Sequence, residues 1–352
     1  MGNSTHSKRV VYMDKAGIRE VAKAAGVSIS TVSRAFAHPE VVSEKTRHKV
    51  LQAADQLDFN ISRSAAALKS GQTFRVALLM NEEITSWFNT QIFAGINSIM
   101  HDAGYDISVF QHIDTADMRR KFFTDLPVRR NVDAVFVASF AIDEKEVEQL
   151  KRIRVPIIGI NTPSIDGFDA SISIDDENGM YTATQHLLNL GHKHIVYACS
   201  AASESMDSSI DARGRGFIRA CENVEKRREL NWQVVTVPRG RAFADSALSA
   251  LLALDEFPDA ICCQIDMMAI PLMLKLERYG HRTPRDYSII GFDDSPYADT
   301  VNLTTMKQDP FKMGRSAAQK AIKLINGEEP EKPHEIVQPT LVLRESDALY
   351  TD

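Results

Sequence analysis

The sequence predicts a small all-α head followed by a larger α/β body of two doubly wound, Rossmann-like lobes. Three observations predict it. Residues 18–57 carry apolar positions at helical spacing. From residue 74 onward, short apolar runs alternate with helical segments, the pattern of parallel strands joined by crossover helices. Those runs are too many for one sheet of ordinary size, so the body divides in two. The length of 352 residues also exceeds one domain, and 44% hydrophobic with 25% charged residues is ordinary for a soluble globular chain.

Residues 1–17 read as a flexible polar arm, a solvated tail in the first place, with phosphate contact by Lys8, Arg9 and Lys15 as the alternative. Ile18, Val21, Ala22 and Ala25 then form one apolar stripe on a short helix. Gly26 stands where such a helix stops, because Gly accepts the left-handed backbone of a helix C-terminus. Ser28 is a natural N-cap for a second helix. In that helix Val32, Ala35 and Phe36 face inward, while Ile29, Ser30, Ser33 and Arg34 project outward. Two short helices joined by a Gly-containing turn describe a helix-turn-helix, whose second helix fits a DNA major groove. An ordinary αα-hairpin with a solvated face shares this pattern. After His38-Pro39, Ser43 caps a third helix to about Leu57, with Val50, Leu51, Ala54 and Leu57 on its inner face. In residues 60–71 Ser62 caps a helix of about two turns that Gly71 ends. So short a helix is unstable in isolation and orders against a partner or serves as a linker.

In the body, FRVALLM, YDISVF, DAVFVAS, PIIGIN, ASISID, HIVYAC, QVVTV, DAICC and YSIIGFDD read as strands. Helices read over 88–103, 115–126, 143–153, 176–190, 210–224, 243–254 and 266–280. Ligands of such sheets sit outside the carboxyl ends of the strands, which here face a cleft between the lobes.

Composition excludes several classes. Residues 1–75 hold twelve Lys/Arg against six Asp/Glu, so a basic head precedes an acidic remainder within a net charge of −6. That asymmetry fits a DNA-contacting head whose body avoids phosphate. No apolar run approaches the ~20 residues of a membrane span, and no leader pattern opens the chain, so the expected setting is the cytoplasm with no membrane partner. Cys199, Cys221, Cys262 and Cys263 form no CxxC, and Cys262 and Cys263 read as small buried side chains. His192 and His194 read as a turn before a strand rather than half of a metal site. GxxxxGK[ST], GxSxG, HExxH and an intact GxGxxG are missing. The expectation is no catalysis, no metal and no cofactor.

The stretches GIREVAKAAGVSISTVSRAF, VSEKTRHKVLQAADQLDF and SRSAAALKSG resemble the headpiece of the lactose/galactose repressor family. The resemblance continues through GHKHI at 191–195, ARGRGF at 212–217, IDMMA at 265–269, PRDYSIIGFDDSPYA at 284–298 and LTTMKQD at 303–309. It implies a helix-turn-helix headpiece at 18–59, a hinge helix or linker at 60–73, an effector-binding and dimerisation domain at 74–346, and a tail at 347–352. The body is then of the periplasmic-binding-protein type I kind. Its N-lobe covers about 74–161 and 294–325, and its C-lobe about 162–293 and 326–346. The implied crossovers fall near Asn161-Pro163, Asp293-Ser295 and Ile325-Gly327.

The same resemblance implies that Ile29, Ser30 and Arg34 read bases and that Ser28, Thr31 and Ser33 hold phosphate or brace the helix. Ala67 and Leu68 fall in the hinge helix, where Leu68 matches a Leu wedged into the minor groove. Trp87, Phe88, Arg213 and Asp266 match effector-contacting positions, and Asn161, Asp175 and Phe243 are further candidates near crossovers or cleft loops, where a structural role is the alternative. Two features depart from the family pattern: Ile61-Ser62 replaces Pro-Asn before the hinge, and Ile265 replaces Asn before Asp266. Ile29 and Ser30 offer little hydrogen bonding, so readout there is expected to rest in part on thymine methyls.

The expected function is a sequence-specific regulator of transcription, a repressor whose operator affinity is set by a small-molecule effector, a carbohydrate in the commonest case. The implied partners are a pseudo-palindromic double-stranded DNA operator and a second copy of the chain. An activator or corepressor-dependent regulator with a nucleobase or sugar-phosphate effector is the alternative within this class. A cytoplasmic ligand-binding protein whose head meets a protein partner is the alternative outside it.

Overall fold

The computed structural model describes residues 16–37, 39–57, 59, 72–111, 113, 116–129, 132–152, 154–202, 208–225, 229–240 and 242–351. Most of the expected arm at 1–17 and most of the hinge segment, with Ala67 and Leu68, lie outside them. The chain divides into two compact units, Met1–Phe74 and Arg75–Asp352.

The described residues of the first unit carry α1 (Ile18–Ala25), α2 (Ile29–Ala37), a 3-10 turn at Pro39–Val41 and α3 (Glu44–Gln56). Gly26 ends α1 with φ 66°, the left-handed conformation that the turn requires. Ser43 caps α3, its hydroxyl accepting from Thr46 N–H. Val21, Ala22, Val32, Ala35, Val50, Ala53 and Ala54 form the core, and Phe36 meets Phe59 edge-on at its rim. Ala53 takes the inner place that the sequence reading assigns to Leu51, which is 38% exposed. The inner face of α3 therefore runs 50, 53, 54, 57, with Leu51 turned one position outward.

The second unit contains two six-stranded sheets. The first comprises β1 (Arg75–Met80), β2 (Asp106–Phe110), β3 (Ala134–Ala138), β4 (Ile157–Ile160), β5 (Ala170–Ile174) and β11 (His334–Val337). Its spatial order is β11-β5-β4-β3-β1-β2, and every pair is parallel. The second comprises β6 (His194–Ser200), β7 (Asn231–Val237), β8 (Ala260–Cys263), β9 (Ser288–Asp293), β10 (Thr304–Lys307) and β12 (Thr340–Val342). Its order is β12-β10-β9-β8-β6-β7, with only β12 antiparallel. The inner strands β1, β3, β4, β8 and β9 read as apolar runs because both of their faces are buried. On the first sheet the connecting helices are α4 (Trp87–Met100), α5 (Ala116–Arg129) and α6 (Glu144–Lys151). On the second they are α7 (Asp176–Asn189), α8 (Asp211–Glu225), α9 (Phe243–Leu252) and α10 (Asp266–Arg278). The short α11 (Pro296–Thr300) precedes β10, and α12 (Pro310–Ile325) follows it.

The crossings between lobes differ from the sequence reading. β5 pairs directly with β4 through Ile158↔Ala170 and Ile160↔Ile172, so Asn161-Pro163 opens a loop within the first lobe. The chain crosses at Asp175, after which α7 packs on α8 and the second sheet. It returns between Lys307 and Pro310, not at Asp293-Ser295, because β10 extends the second sheet beside β9. It crosses a third time between Val337 and Thr340, not at Ile325-Gly327, because β11 joins β5 before β12 joins β10. The first lobe is thus 75–174 with 310–337, and the second 176–307 with the chain from 340. The Pro163 turn and the α12 end looked like boundaries, but a strand beyond each belongs to the same sheet.

The returning α12 lies close against α4. A Cβ at Gly95 would stand 2.2 Å from Phe311 O, and one at Gly314 would stand 2.4 Å from Ile92 O. The segment after Arg344 is strapped to the second lobe. Ser346 Oγ donates to Ile289 O, Asp347 meets His186 Nε2 at 2.6 Å, and Tyr350 N–H reaches Leu190 O.

Candidate functional site

Two surfaces carry the candidate residues. The first is the outer face of α2. Ser28 Oγ accepts from Thr31 N–H at 3.1 Å, the expected N-cap. The same hydroxyl lies 2.7 Å from Ser30 Oγ and 2.8 Å from Thr31 Oγ1. Ile29 and Arg34 are exposed, and Ser33 is half-buried. The structure therefore gathers Ser28, Ser30 and Thr31 into one hydroxyl knot at the helix start, with Ile29 and Arg34 standing out from it.

The second surface lies at the carboxyl ends of the strands of the body. In each sheet the strand order reverses beside the first strand of the lobe, β1 against β3 and β6 against β8. Ligands of open α/β sheets bind outside that point. Asn161 ends β4 with φ 49°. Its Nδ2 donates to Asp176 Oδ2 at 3.1 Å and to Ser209 Oγ at 3.0 Å, and its Oδ1 accepts from Ile174 N–H. Arg213, one turn into α8, is buried. Its Nε donates to Asp176 Oδ1 at 2.7 Å and its Nη1 to Gln264 O at 2.7 Å. Nη1 also lies 3.6 Å from Asp293 Oδ1, and the guanidinium carbon sits 3.6 Å from the centroid of the Phe292 ring. The guanidinium thus joins the first crossing, the end of β8 and the end of β9.

Asp175 caps α7 by accepting from Asn178 N–H and also accepts from Gln338 Nε2, so it ties the first crossing to the third. Asp266 is fully buried within the second lobe. Its Oδ1 accepts from Thr305 Oγ1 at 2.6 Å and its Oδ2 from Ser295 N–H at 2.8 Å. Phe243 opens α9 and packs against the core of the second lobe. Trp87 and Phe88 are half-buried on the first turn of α4, behind the Ser86 cap. Of the seven expected effector positions, the structure joins Asn161 and Arg213 directly through Asp176, with Asp175 next along the chain.

Sequence reasoning missed Asp176, Ser209, Gln264, Phe292 and Gln308 as parts of this network, and read Asp293 only as crossover chain. Asp176 had one visible signal, an acidic pair after strand ASISID. The others had none, because their roles depend on partners far away in the chain.

The network is short of positive charge. Arg213 faces Asp176 and Asp293, and Asp266 lies close by. Burial pulls the Arg213 pKa down, but Asp176 and Asp293 more than offset it, so the guanidinium stays charged. Burial pushes Asp293 up to about 8 against the pull of Arg213, so it is largely protonated at neutral pH. Gln308 Nε2 donates to its Oδ1 at 2.5 Å. Burial also raises Asp266, opposed by its bonds from Thr305 and Ser295.

His192 and His194 have separate partners, Asp259 with Ala348 O for the first and Gln233 for the second. Among the described residues no group of three or more His, Cys, Asp or Glu is placed to hold a metal ion. No described helix is long and apolar enough to cross a membrane.

Comparison with known proteins finds matches in both units of the chain. Residues 17–61 match the model of the bacterial regulatory proteins, lacI family. Residues 184–346 match the periplasmic binding protein-like domain. The HTH-type transcriptional repressor PurR of Vibrio vulnificus is 28% identical over 337 residues, covering 94% of this chain and 98% of that protein. PurR of Vibrio campbellii is 29% identical over 335 residues with the same coverage. The lac repressor dimer bound to operator and the anti-inducer ONPF superposes with a TM-score of 0.80 at 23% identity, covering 95% of this chain and 100% of that one. A LacI family transcriptional regulator from Enterococcus faecium with bound ribose gives 0.67 at 25%, covering 79% and 100%.

Proposed function

The chain belongs to the lacI family of DNA-binding transcriptional regulators, and on that premise we propose that it is a repressor switched by a small molecule held between the two lobes. The headpiece supplies the DNA-binding element. The observation that carries the switch is the position of Arg213, bonded at once to Asp176 beside the first crossing, to Gln264 and towards Asp293. An effector that bonds the guanidinium competes with Asp176. It thereby acts where the chain passes from one lobe to the other. It shifts the lobe arrangement by its differential affinity for the two arrangements and by nothing else.

The proposed effector is uncharged and rich in hydroxyl groups, a carbohydrate. One guanidinium already paired with the Asp176 carboxylate, beside a largely protonated Asp293, leaves no spare positive charge for a phosphate or a free carboxylate and suits a donor of several O–H bonds. Asn161, Asp175 and Arg213 line the proposed contact, and Asp266 braces the turn before α11 from behind. Trp87 and Phe88 offer aromatic platforms from the other lobe, and Phe243 supports α9. A nucleobase is the second reading, suggested by the relatives named PurR.

The proposed assembly is a homodimer on a pseudo-palindromic site. It is supported by Met267, Ile270 and Leu274, which form an apolar stripe along α10 where Met267 is 51% and Leu274 47% exposed. The proposed activity is binding, not catalysis. Leu68, outside the described residues, is proposed as the minor-groove wedge, and Leu68→Ala is expected to weaken operator binding while leaving effector affinity nearly unchanged.

The test is selection of the full-length protein on random duplex DNA, with and without a panel of sugars and nucleobases. Enrichment of one palindrome, released by one compound, supports repression with induction. Enrichment only in the presence of a compound makes it a corepressor. No enrichment at low or high salt overturns the regulator reading.

A further inference from the structure

We infer that Arg344, on the chain beyond the third crossing, is a positioning residue for the buried network: its hold on Asp294 fixes a strained turn, and that turn aims the Asp293 carboxyl at Arg213. The regulator reading enters at one point only, in taking that network as the place where the effector binds.

The need for a hold begins in the backbone. Asp293 has φ 139° and Asp294 φ 56°, two consecutive residues in a region that L side chains rarely adopt. Such a pair persists only where its surroundings fix it. It sits where β9 ends and the chain turns into α11. Strand geometry shows what the turn achieves. Successive side chains of a strand point to opposite faces. Phe292 belongs to the core beneath α7 and α8, so a regular Asp293 would face the α10 side. Instead Asp293 Oδ1 lies 3.6 Å from Nη1 of Arg213, whose guanidinium carbon is also 3.6 Å from the Phe292 ring centroid. Two neighbouring residues of one strand thus meet the same side chain, and the strained turn allows it.

The contacts that fix the turn converge on Asp294. Arg344 Nη2 donates to its Oδ1 at 2.7 Å, and Lys307 Nζ donates to its Oδ2 at 3.1 Å. Its own N–H donates to Thr305 Oγ1 at 3.4 Å. Burial works against charge on Asp294, but the bonds from Arg344 and Lys307 more than offset it, so its pKa lies below the ordinary carboxylate value. Arg344 is the stronger of the two holds. Its side chain is 14% exposed against 57% for Lys307, which solvent screens. The guanidinium is itself anchored, with Nη1 donating to Leu303 O at 2.8 Å and Nε 3.4 Å from Asp299 Oδ1.

The place of these residues in the chain gives the consequence. Arg344 follows β12, the strand after the third crossing, and Lys307 ends β10, the strand before the second. Gln308, at the second crossing, donates to Asp293. Two crossings therefore bear on the turn whose carboxyl meets Arg213, and Arg213 binds Asp176 beside the first crossing. An effector that displaces Asp293 loosens the hold of Arg344, and by linkage a lobe arrangement that loosens Arg344 weakens the effector site.

The experiment uses the full-length protein without DNA or effector and reads thermal unfolding from about pH 5 to about pH 8. Asp293 faces Arg213 from α8, Asp176 from α7, Asp266 from α10 and the uncharged Gln308. In that setting Asp293→Asn gains stability on its parent as pH rises. The same substitution is made in Arg344→Met, in Arg344→Lys and in Arg344→Met/Asp294→Gly. Arg344→Met is expected to melt roughly 3–12 °C lower and to cut the gain to under about half, because the Asp293 carboxyl leaves the network for water. Arg344→Lys keeps a cation on Asp294 and restores the gain. Glycine adopts φ 56° without strain, so Asp294→Gly makes the hold dispensable and the gain persists in the double variant. Should Arg344→Met not fold, Arg344→Gln takes its place.

An undiminished gain in Arg344→Met, whatever its melting temperature, makes Arg344 a structural fastening and overturns the inference. A gain lost equally in Arg344→Lys and in the double variant overturns it too, as does the absence of any gain in the native protein. None of these outcomes touches the regulator reading, which falls only if selection enriches no duplex.

Discussion

Replacing Arg213 by Met removes one charge from the cleft while keeping a long apolar stem against Phe292. The structure sets the size of the effect. Asp176 loses its 2.7 Å partner, Asp293 loses the cation 3.6 Å away, and Gln264 O loses a donor, all in a buried network. Breaking a buried ion pair by deleting one partner costs about 3–5 kcal/mol, because the remaining charge is left without compensation. For domains of this size each kcal/mol lowers the melting temperature by roughly 2–4 °C, so a fall of roughly 6–20 °C is expected. The assay is thermal unfolding of full-length Arg213→Met without effector, beside Asp176→Asn and the double variant. Asp176→Asn neutralises the carboxylate that Arg213 leaves behind. The double variant should therefore be more stable than the sum of the single losses by about 1–3 kcal/mol. A loss under about 1 kcal/mol for Arg213→Met, or strict additivity with Asp176→Asn, would refute the view that Arg213 is the counter-ion of this buried carboxylate network. It would then be a side chain held in reserve for the effector alone.

Asp293 predicts a pH dependence. Its folded-state pKa is raised to about 8 by burial, while the unfolded chain titrates near the usual carboxylate value. Between the two the folded form holds a proton that the unfolded form has lost. Its contribution to stability is thus greatest below the usual carboxylate range and declines as pH rises through the window, ending above about 8. Asp293→Asn keeps the neutral shape, so its melting temperature should gain on wild type between pH 5 and pH 8; a constant difference across that range would contradict the assignment. Gly314→Ala puts a methyl 2.4 Å from Ile92 O, and overpacking against backbone should cost about 1–3 kcal/mol in thermal unfolding of the body. In the head, Ser43→Ala removes the α3 cap and should cost about 1 kcal/mol, read as faster hydrogen exchange at the Thr46 amide.

Much of this molecule is legible in its sequence because the determining interactions are local. The apolar stripes of α1 and α3, the Gly26 stop and the Ser28 and Ser43 caps act over a few residues, and their spacing announces them. The nine apolar runs named as strands all become strands, the inner ones buried on both faces and the edge strands β2 and β7 only in part. The motif around Arg213 singles out one member of the buried network before its partners are known.

Only the tertiary structure decided where the lobes exchange chain and what Arg213 does there. Sheet membership depends on pairing between distant segments, such as β11 with β5 and β12 with β10, and no local signal records it. The same holds for charge. Asp176, Gln264 and Asp293 are scattered along more than a hundred residues, and nothing local to any of them announces that it meets Arg213. Folding brings them within bonding distance and removes the water. That desolvation turns one Arg into a counter-ion, leaves one Asp protonated, and converts separate residues into a charged junction between two lobes.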